Sequence, residues 1–341
     1  MNHIFGAGVV SAILGLTASG VQATTVTSFE AFAVFGDSLS DDGNLYATPA
    51  GPLIVSDPPY FEGRRSNGPV WPEYVAARFE SKGLPTANYA YGFANAVRND
   101  DIPLGLPYQV PDLPDQVGFF ARDAERFADK NTAAVIWAGS NDILTYAGRT
   151  DIDALGRASA ASVAESARAL GGLGVDHVSI LNLPDFSQTP RYELALTGLA
   201  DEVAAGAAAF NSALSGLLPG LQAGGLDVQQ IDISAFFADM IATPEKYGVS
   251  NSTEPCFFAA DILTGPYCTD PDERAFYDDI HPNSVIHAQV GQIVGAQIAP
   301  VPVPIPLALL AFGVAALFGI RLSGLRAGKG GAVSKVPHLV C

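Results

Sequence analysis

Two continuous apolar runs of strand length set the rhythm of the chain: A-F-A-V-F at 31–35 and A-A-V-I-W-A at 133–138. The second has no polar position on either face, as expected of a strand buried on both sides. Residues 86–91, 175–183 and 228–233 add three further strands. Between them the spacing changes to that of helices. Pro69 opens one whose Trp71, Tyr74, Val75 and Phe79 share a face, residues 112–129 place Val117, Phe120, Ala124 and Phe127 together, and residues 152–170 and 199–218 are long and Ala-rich. Strand and helix alternate, which predicts an α/β fold: a three-layer α/β/α sandwich with a mainly parallel sheet of about five strands. No repeat recurs at a solenoid period. Residues 99–114 are irregular and Pro-rich, the kind of loop that borders a pocket.

The two ends read differently. An apolar stretch at 9–16 followed by V-Q-A at 21–23 predicts a secretory signal peptide at 1–23, cut after Ala23, with His3 as its one basic side chain. The other reading is a buried amino-terminal helix. At the far end, V-P-V-P-I-P at 301–306 leads into 14 apolar residues at 307–320 and then Arg321, Arg326, Lys329 and Lys335. Counted from Val301, the apolar stretch has the roughly 20 residues that a membrane span needs. The tail is similar to the V-P-x-P sorting signals of exported bacterial proteins, which implies membrane retention, at least transient, and a processing protease as partner. The expected organisation is therefore a leader at 1–23, one folded domain at 24–299, and a linker, apolar segment and basic tail at 300–341, in an exported protein.

Composition narrows the function. With 48% hydrophobic and 16% charged residues the chain is a folding one. Its formal net charge is −17, and no Lys/Arg cluster lies in the central region, which argues against binding nucleic acid through phosphates. Of three cysteines, Cys256 and Cys268 are close enough for a local disulfide in an exported protein, with Cys341 left over. Without C-x-x-C or a Cys/His cluster nearby, no zinc site and no cofactor is expected.

The first strand ends abruptly in G-D-S at 36–38, which places a hydroxyl at a sheet edge and makes Ser38 a candidate nucleophile. Such a hydroxyl needs a base, and D-D-I-H at 278–281 offers His281. Asp278 and Asp279 are both available to orient the ring, and the three-residue separation favours Asp278. Ser38, Gly92 and Asn141 all follow predicted strands, where functional residues of open α/β sheets gather. G-x-S-x-G, the phosphate-binding G-x-x-x-x-G-K-[ST] and a dinucleotide fingerprint are all absent. His177 reads as a satisfied strand histidine, His287 as an exposed helix residue, and Asp41 and Asp42 as braces for the turn after Ser38.

On these motifs the chain resembles the GDSL esterase and lipase family, the SGNH hydrolases, across residues 31–299. G-D-S-L-S-D-D-G-N at 36–44, G-S-N-D at 139–142 and D-x-x-H at 278–281 match in order, and N-Y-A-Y-G-F-A at 88–94 departs from N-[FY]-A-x-G-G-A only in Phe93. R-S-N-G-P-V-W at 65–71 is also similar to a stretch common in these enzymes. The resemblance implies a flavodoxin-like α/β/α fold and an exported serine esterase or lipase acting on small-molecule or lipid esters. It further implies Ser38 as nucleophile, His281 as base, Asp278 as its orienter, and an oxyanion hole from the amides of Ser38 and Gly92 with the Asn141 side chain. An acyltransferase using the same acyl-enzyme and a membrane-tethered binding protein without catalysis are the alternatives. Pocket walls are expected from 45–68, 99–114 and 249–274, with Leu104, Leu106, Phe257 and Phe258 facing either the substrate or the loops.

Overall fold

The computed structural model describes residues 28–49, 51–54, 59–99, 108–148 and 151–300. The expected leader, the apolar tail segment, Cys341, Leu104 and Leu106 lie outside the described residues.

Alternation along the strand Ala31–Gly36 decides the layering. Phe32 stacks on Phe79 at 5.4 Å, and Phe35, on the other side of the pleat, meets Phe120 edge-on at 5.8 Å. Both faces are therefore covered. In chain order the strands are β1 (Ser28–Phe29), β2 (Ala31–Gly36), β3 (Thr86–Asn88), β4 (Thr132–Trp137), β5 (His177–Leu181), β6 (Asp227–Ile231) and β7 (Ala299–Pro300). The main sheet has the order β3-β2-β4-β5-β6 with every pair parallel, and β1 pairs with β7 apart from it. From β2 the chain moves outward to β3 and then returns to β4 on the other side. That reversal opens a crevice at the carboxyl ends of β2 and β4.

The helices are α1 (Gly51–Ile54), α2 (Trp71–Glu80), α3 (Leu113–Asp123), α4 (Ser140–Tyr146), α5 (Ile152–Gly172), α6 (Ala200–Ala223), α7 (Ile233–Ala242) and α8 (Ser284–Gln297). On one face α2 packs against α8, and Trp71, Trp137 and Phe237 carry the contact across to α7. On the other, α3 packs on α5, which runs along α6. This last approach needs a glycine, because a Cβ on Gly156 would lie 2.4 Å from the Gly206 carbonyl oxygen.

Five parallel strands between two helical layers match the expected architecture, while several boundaries moved for local reasons. The strand expected over 86–91 stops at Asn88, whose side chain accepts from the Ala90 amide at 3.0 Å and donates to Ser40 O at 2.7 Å, in place of a continued ladder. The helix expected to open at Pro69 begins at Trp71, with Pro72 in its first turn. The 112–129 helix ends at Asp123 and tightens into a 3₁₀ turn, Ala124–Arg126. Ile233, expected at a strand end, starts α7 instead, because Asp232 accepts from the Ala235 amide at 3.1 Å and caps it.

Candidate active site

At the end of β2 the chain passes so close to β4 that a Cβ on Gly36 would lie 2.3 Å from the Trp137 carbonyl oxygen. Gln116, buried on α3, accepts from the Gly36 amide at 2.9 Å and donates to the Gly36 carbonyl at 2.9 Å. This clamp fixes the last residue of the strand in the sheet plane. Next comes a tight turn, in which the Asp37 carbonyl accepts from the amides of Ser40 and Asp41, and it lifts Ser38 to the rim of the crevice. Gln116 carries no motif signal, and only its position opposite Gly36 identifies it.

Ser38 Oγ lies 2.8 Å from His281 Nε2, and His281 Nδ1 lies 2.7 Å from Asp278 Oδ2. Asp278 Oδ1 accepts from the amides of Ile280 at 2.9 Å and His281 at 2.7 Å, so the acid and the ring belong to one tight turn. With the ionised carboxylate facing it, Nδ1 carries the proton and Nε2 is left to accept from Ser38. Burial alone would raise Asp278. The charge and hydrogen bond of His281, then Arg191 and the Tyr60 hydroxyl, outweigh it and hold this carboxyl well below the usual range. Asp279 is engaged elsewhere: it accepts from Arg191 Nε and Nη2, both at 3.0 Å. Asn283 caps α8 through the Ile286 amide at 2.9 Å and anchors the turn that carries the base.

Around this triad lies a cavity of about 470 Å³, with Leu39, Leu144, Phe186, Ile262 and Ile280 among its apolar walls. Its rim draws Arg65 from the 45–68 loop and Ala259, Ala260 and Ile262 from 249–274. Phe257 packs into a small cluster with Tyr60 and Tyr277. Cys256 and Cys268 are joined in a disulfide that closes the second of these loops.

The oxyanion hole implied by the resemblance requires one correction. The Gly92 amide donates to Asp41 Oδ2 at 2.7 Å, and Gly92 is absent from the cavity lining. Asp41 also accepts from the amides of Gly43, Asn44 and Leu45, and it braces the loop after Ser38 as expected. A donor already held by a buried carboxylate is not available to a substrate oxygen. On that segment the neighbouring Phe93 lines the cavity, and its amide has no partner among the described residues; the same holds for the Ser38 amide. Asn141, at the start of α4, gives one Nδ2 proton to Ala94 O at 2.9 Å and retains the other on the cavity side of the sheet edge. Asp142 pins the same segment by accepting from the amides of Ala96 and Val97 at 2.7 and 3.0 Å.

Asp37 sits under the nucleophile, wholly buried, with Oδ1 on the Leu39 amide at 3.1 Å and Oδ2 without a partner among the described residues. Burial pushes its pKa up to about 7, against the hydrogen bond from Leu39, with the Asp142 charge adding to the rise. A carboxyl raised on folding favours the fold most below its unfolded value of 3.8, and that advantage is lost as pH rises through about 7. Asp37→Asn is therefore expected to stabilise the protein at pH 8, by up to about 4 kcal/mol, and to leave it unchanged at pH 3.5 or below. Urea denaturation midpoints at the two pH values measure this, and an equal effect at both refutes it.

Two histidines stay outside the site. His177 is satisfied within the sheet, Nδ1 on Asp227 Oδ2 at 2.9 Å and Nε2 beside Ser179 Oγ at 3.0 Å. His287, expected to be exposed, is buried: its Nδ1 accepts from the Trp71 amide at 3.3 Å where α8 packs on α2, and burial pushes its pKa down to about 3. Among the described residues no group of three or more His, Cys, Asp or Glu side chains forms a metal site.

Residues 32–294 match the model of the GDSL-like lipase/acylhydrolase family. A phosphatidylcholine-sterol acyltransferase of Aeromonas hydrophila is 30% identical over 326 residues, covering 82% of this chain and 93% of that protein. A thermolabile hemolysin of Vibrio parahaemolyticus is 27% identical, covering 75% of this chain and 61% of its own length. Among solved structures, an acetylxylan esterase of Geobacillus stearothermophilus aligns at a TM-score of 0.42 with 13% identity, over 80% of this chain and 95% of that one.

Proposed function

We propose, from the premise that the chain belongs to the GDSL-like lipase/acylhydrolase family, that it hydrolyses carboxylic esters through an acyl-enzyme on Ser38. The observation that carries this reading is the unbroken chain from Asp278 through His281 to Ser38 Oγ, which lines an apolar-walled cavity. His281 Nε2 takes the Ser38 proton as Oγ bonds to the ester carbonyl carbon, and the carbonyl oxygen becomes an oxyanion. That oxygen is received by the Ser38 amide, the second Asn141 Nδ2 proton and the Phe93 amide. His281 then returns the proton to the leaving alcohol. In the second half a water, deprotonated by His281, attacks the acyl-Ser38 carbonyl; the bond to Oγ breaks, the acid leaves, and His281 returns the proton to Ser38 Oγ. Asp278 keeps its charge throughout.

An organophosphonate should label Ser38, located by mass spectrometry of the peptides, with loss of nitrophenyl-ester hydrolysis in proportion to labelling. An active protein labelled elsewhere refutes the reading, and an unlabelled, inactive one favours a binding protein. Asn141→Ala is expected to lower kcat about 10²- to 10³-fold with KM within about threefold, because the amide acts on charge that develops only in the transition state. Steady-state kinetics on the same ester check it, and a change confined to KM would contradict the assignment.

The substrate class we propose is a lipid ester. Leu39, Leu144, Phe186, Ile262 and Ile280 offer an acyl chain an apolar wall, and Leu263 and Leu194, 84% and 54% exposed, lie on the two segments that supply Ile262 and Arg191 to the lining. Transfer of the acyl group to an alcohol instead of water is the second reading, favoured by the 30% identity to the sterol acyltransferase. Product analysis with a sterol added to a phospholipid substrate separates the two. Export through a leader cut after Ala23 and retention by the 301–320 segment are proposed from sequence alone. Amino-terminal sequencing of the mature protein and fractionation of the cells test them.

A further inference from the structure

Tyr60 is fully buried among Phe257 and Tyr277, whose rings meet it edge-on at 5.6 and 6.0 Å. Packing of that kind is served equally by phenylalanine, so the hydroxyl calls for a separate account. It donates to Asp278 Oδ2, the same oxygen that faces His281 Nδ1. The direction of this bond is forced. Arg65 Nη1 donates to the Tyr60 oxygen at 3.2 Å, a guanidinium has no acceptor, and the phenol therefore spends its single proton on Asp278. With Ile280 and His281 amides on Oδ1, both carboxylate oxygens carry two donors each.

Arg65 is itself held. Its guanidinium lies 5.0 Å from the centroid of the Tyr60 ring and 5.0 Å from that of Phe93. Phe93 has φ of 68°, a left-handed backbone that a non-glycine residue adopts at a cost of about 1 kcal/mol or more. At this position the family pattern has glycine. The ring that pays for the strain is the one stacked on Arg65. Tyr60 and its loop are tied to the base's turn a second time, through the Tyr277 hydroxyl on Pro59 O at 2.6 Å.

We infer that Tyr60, backed by Arg65 and Phe93, is a positioning residue for the reaction: it holds the Asp278 carboxylate in one orientation and takes part of its charge, so that His281 is aligned on Ser38 and remains a competent base. The inference rests on the ester-hydrolase reading. Burial and the Asp278 charge keep the phenol protonated, so it stays a donor across the working pH range. Other charged or titratable groups facing the dyad are Arg191 paired with Asp279, Tyr277, Arg65, Asp37 across the cavity and His287 behind. Of these, Arg65 alone donates to the hydroxyl, and Tyr60→Phe takes that acceptor from its Nη1.

The test is Tyr60→Phe in the full chain, with pH profiles of kcat/KM on a nitrophenyl ester. Without the phenol, Asp278 keeps more of its charge for the imidazolium form of His281, so a higher pH is needed to free the base. The acid limb should move up by about half to one pH unit, and kcat/KM at pH 7 should fall about 5- to 20-fold with KM little changed. Arg65→Met removes the donor behind the phenol and should move the limb in the same direction by a smaller amount, which keeps the inference open to refutation if Tyr60→Phe does not fold. A fall in activity with the limb unmoved in both variants would mean a merely structural role and overturns it, as does an unchanged profile. Wild type and Ser38→Ala run alongside: an inactive wild type, or an active Ser38→Ala, defeats the hydrolase reading and this inference with it, whereas an active wild type, an inactive Ser38→Ala and an unmoved limb defeat this inference alone.

Discussion

Ser38→Ala should lower kcat/KM for a nitrophenyl ester by roughly four to six orders of magnitude while the protein stays folded. Both halves follow from the surroundings of one atom. Oγ touches His281 Nε2 and forms no other hydrogen bond to a described residue, so its removal leaves no buried donor or acceptor stranded in the turn. The backbone geometry is held independently by Gln116 on Gly36, by the Asp37 carbonyl on the amides of Ser40 and Asp41, and by Asp41 on four more amides. The expected change in stability is therefore within about 1 kcal/mol. Chemistry behaves differently, since a water replacing Oγ must attack from a less defined position and no acyl-enzyme forms. The rate that remains comes from binding and from the oxyanion donors. Circular dichroism, a thermal melt and rate assays sensitive to contaminating wild type check the two halves separately. Activity within a hundredfold of wild type in the folded variant would remove Ser38 from the mechanism.

How much of this was legible in the chain differs between layers. The centre of the sheet was visible because β2 and β4 are buried on both faces, and 31–35 and 133–137 meet that environment with unbroken apolar sequence. Helix α4 was missed because it has seven residues and its sequence is that of the G-S-N-D motif, too short for periodicity to register. His287 shows the limit of reading one residue at a time: its burial is imposed by α2, from a segment more than two hundred positions away. Within the site, the strand end at Ser38 and the D-x-x-H turn pointed to the candidate nucleophile, base and acid, which the fold brings into one hydrogen-bonded chain, because each candidate is marked by a few adjacent residues. The role of Asn141 came only from the family resemblance. Gly92 misled for a physical reason, since a motif glycine marks backbone that must come close to something, and here the partner is Asp41. Gln116 and Tyr60 carried no motif signal, because their hydrogen-bond partners, Gly36 and Asp278, lie 80 and 218 positions away along the chain.

Asp278→Asn keeps the shape of the side chain and reverses the hydrogen-bond logic around it. The two turn amides of Ile280 and His281 need an acceptor, so the asparagine oxygen takes the Oδ1 position and the amide nitrogen the Oδ2 position. That nitrogen then faces His281 Nδ1 and the Tyr60 hydroxyl as a donor, where Asp278 accepts from both. His281 Nδ1 must become an acceptor, and the ring proton moves to Nε2. A ring protonated there can no longer accept from Ser38, and the imidazolium of the transition state has lost its counter-charge. A fall in kcat of about 10³- to 10⁴-fold is expected, with KM changed by less than about threefold, because the ground-state ester touches neither atom. Stability should shift with pH in a defined sense. The folded Asp278 carboxyl is held below its unfolded value of 3.8, so it stabilises the wild type above that pH and ceases to do so as pH falls through the depressed folded value. The variant, lacking the group, should lose less stability between pH 5 and pH 2. Kinetics at pH 7 with acid titrations of both proteins measure the two effects, and a loss of kcat below tenfold would assign the orienting role to another group.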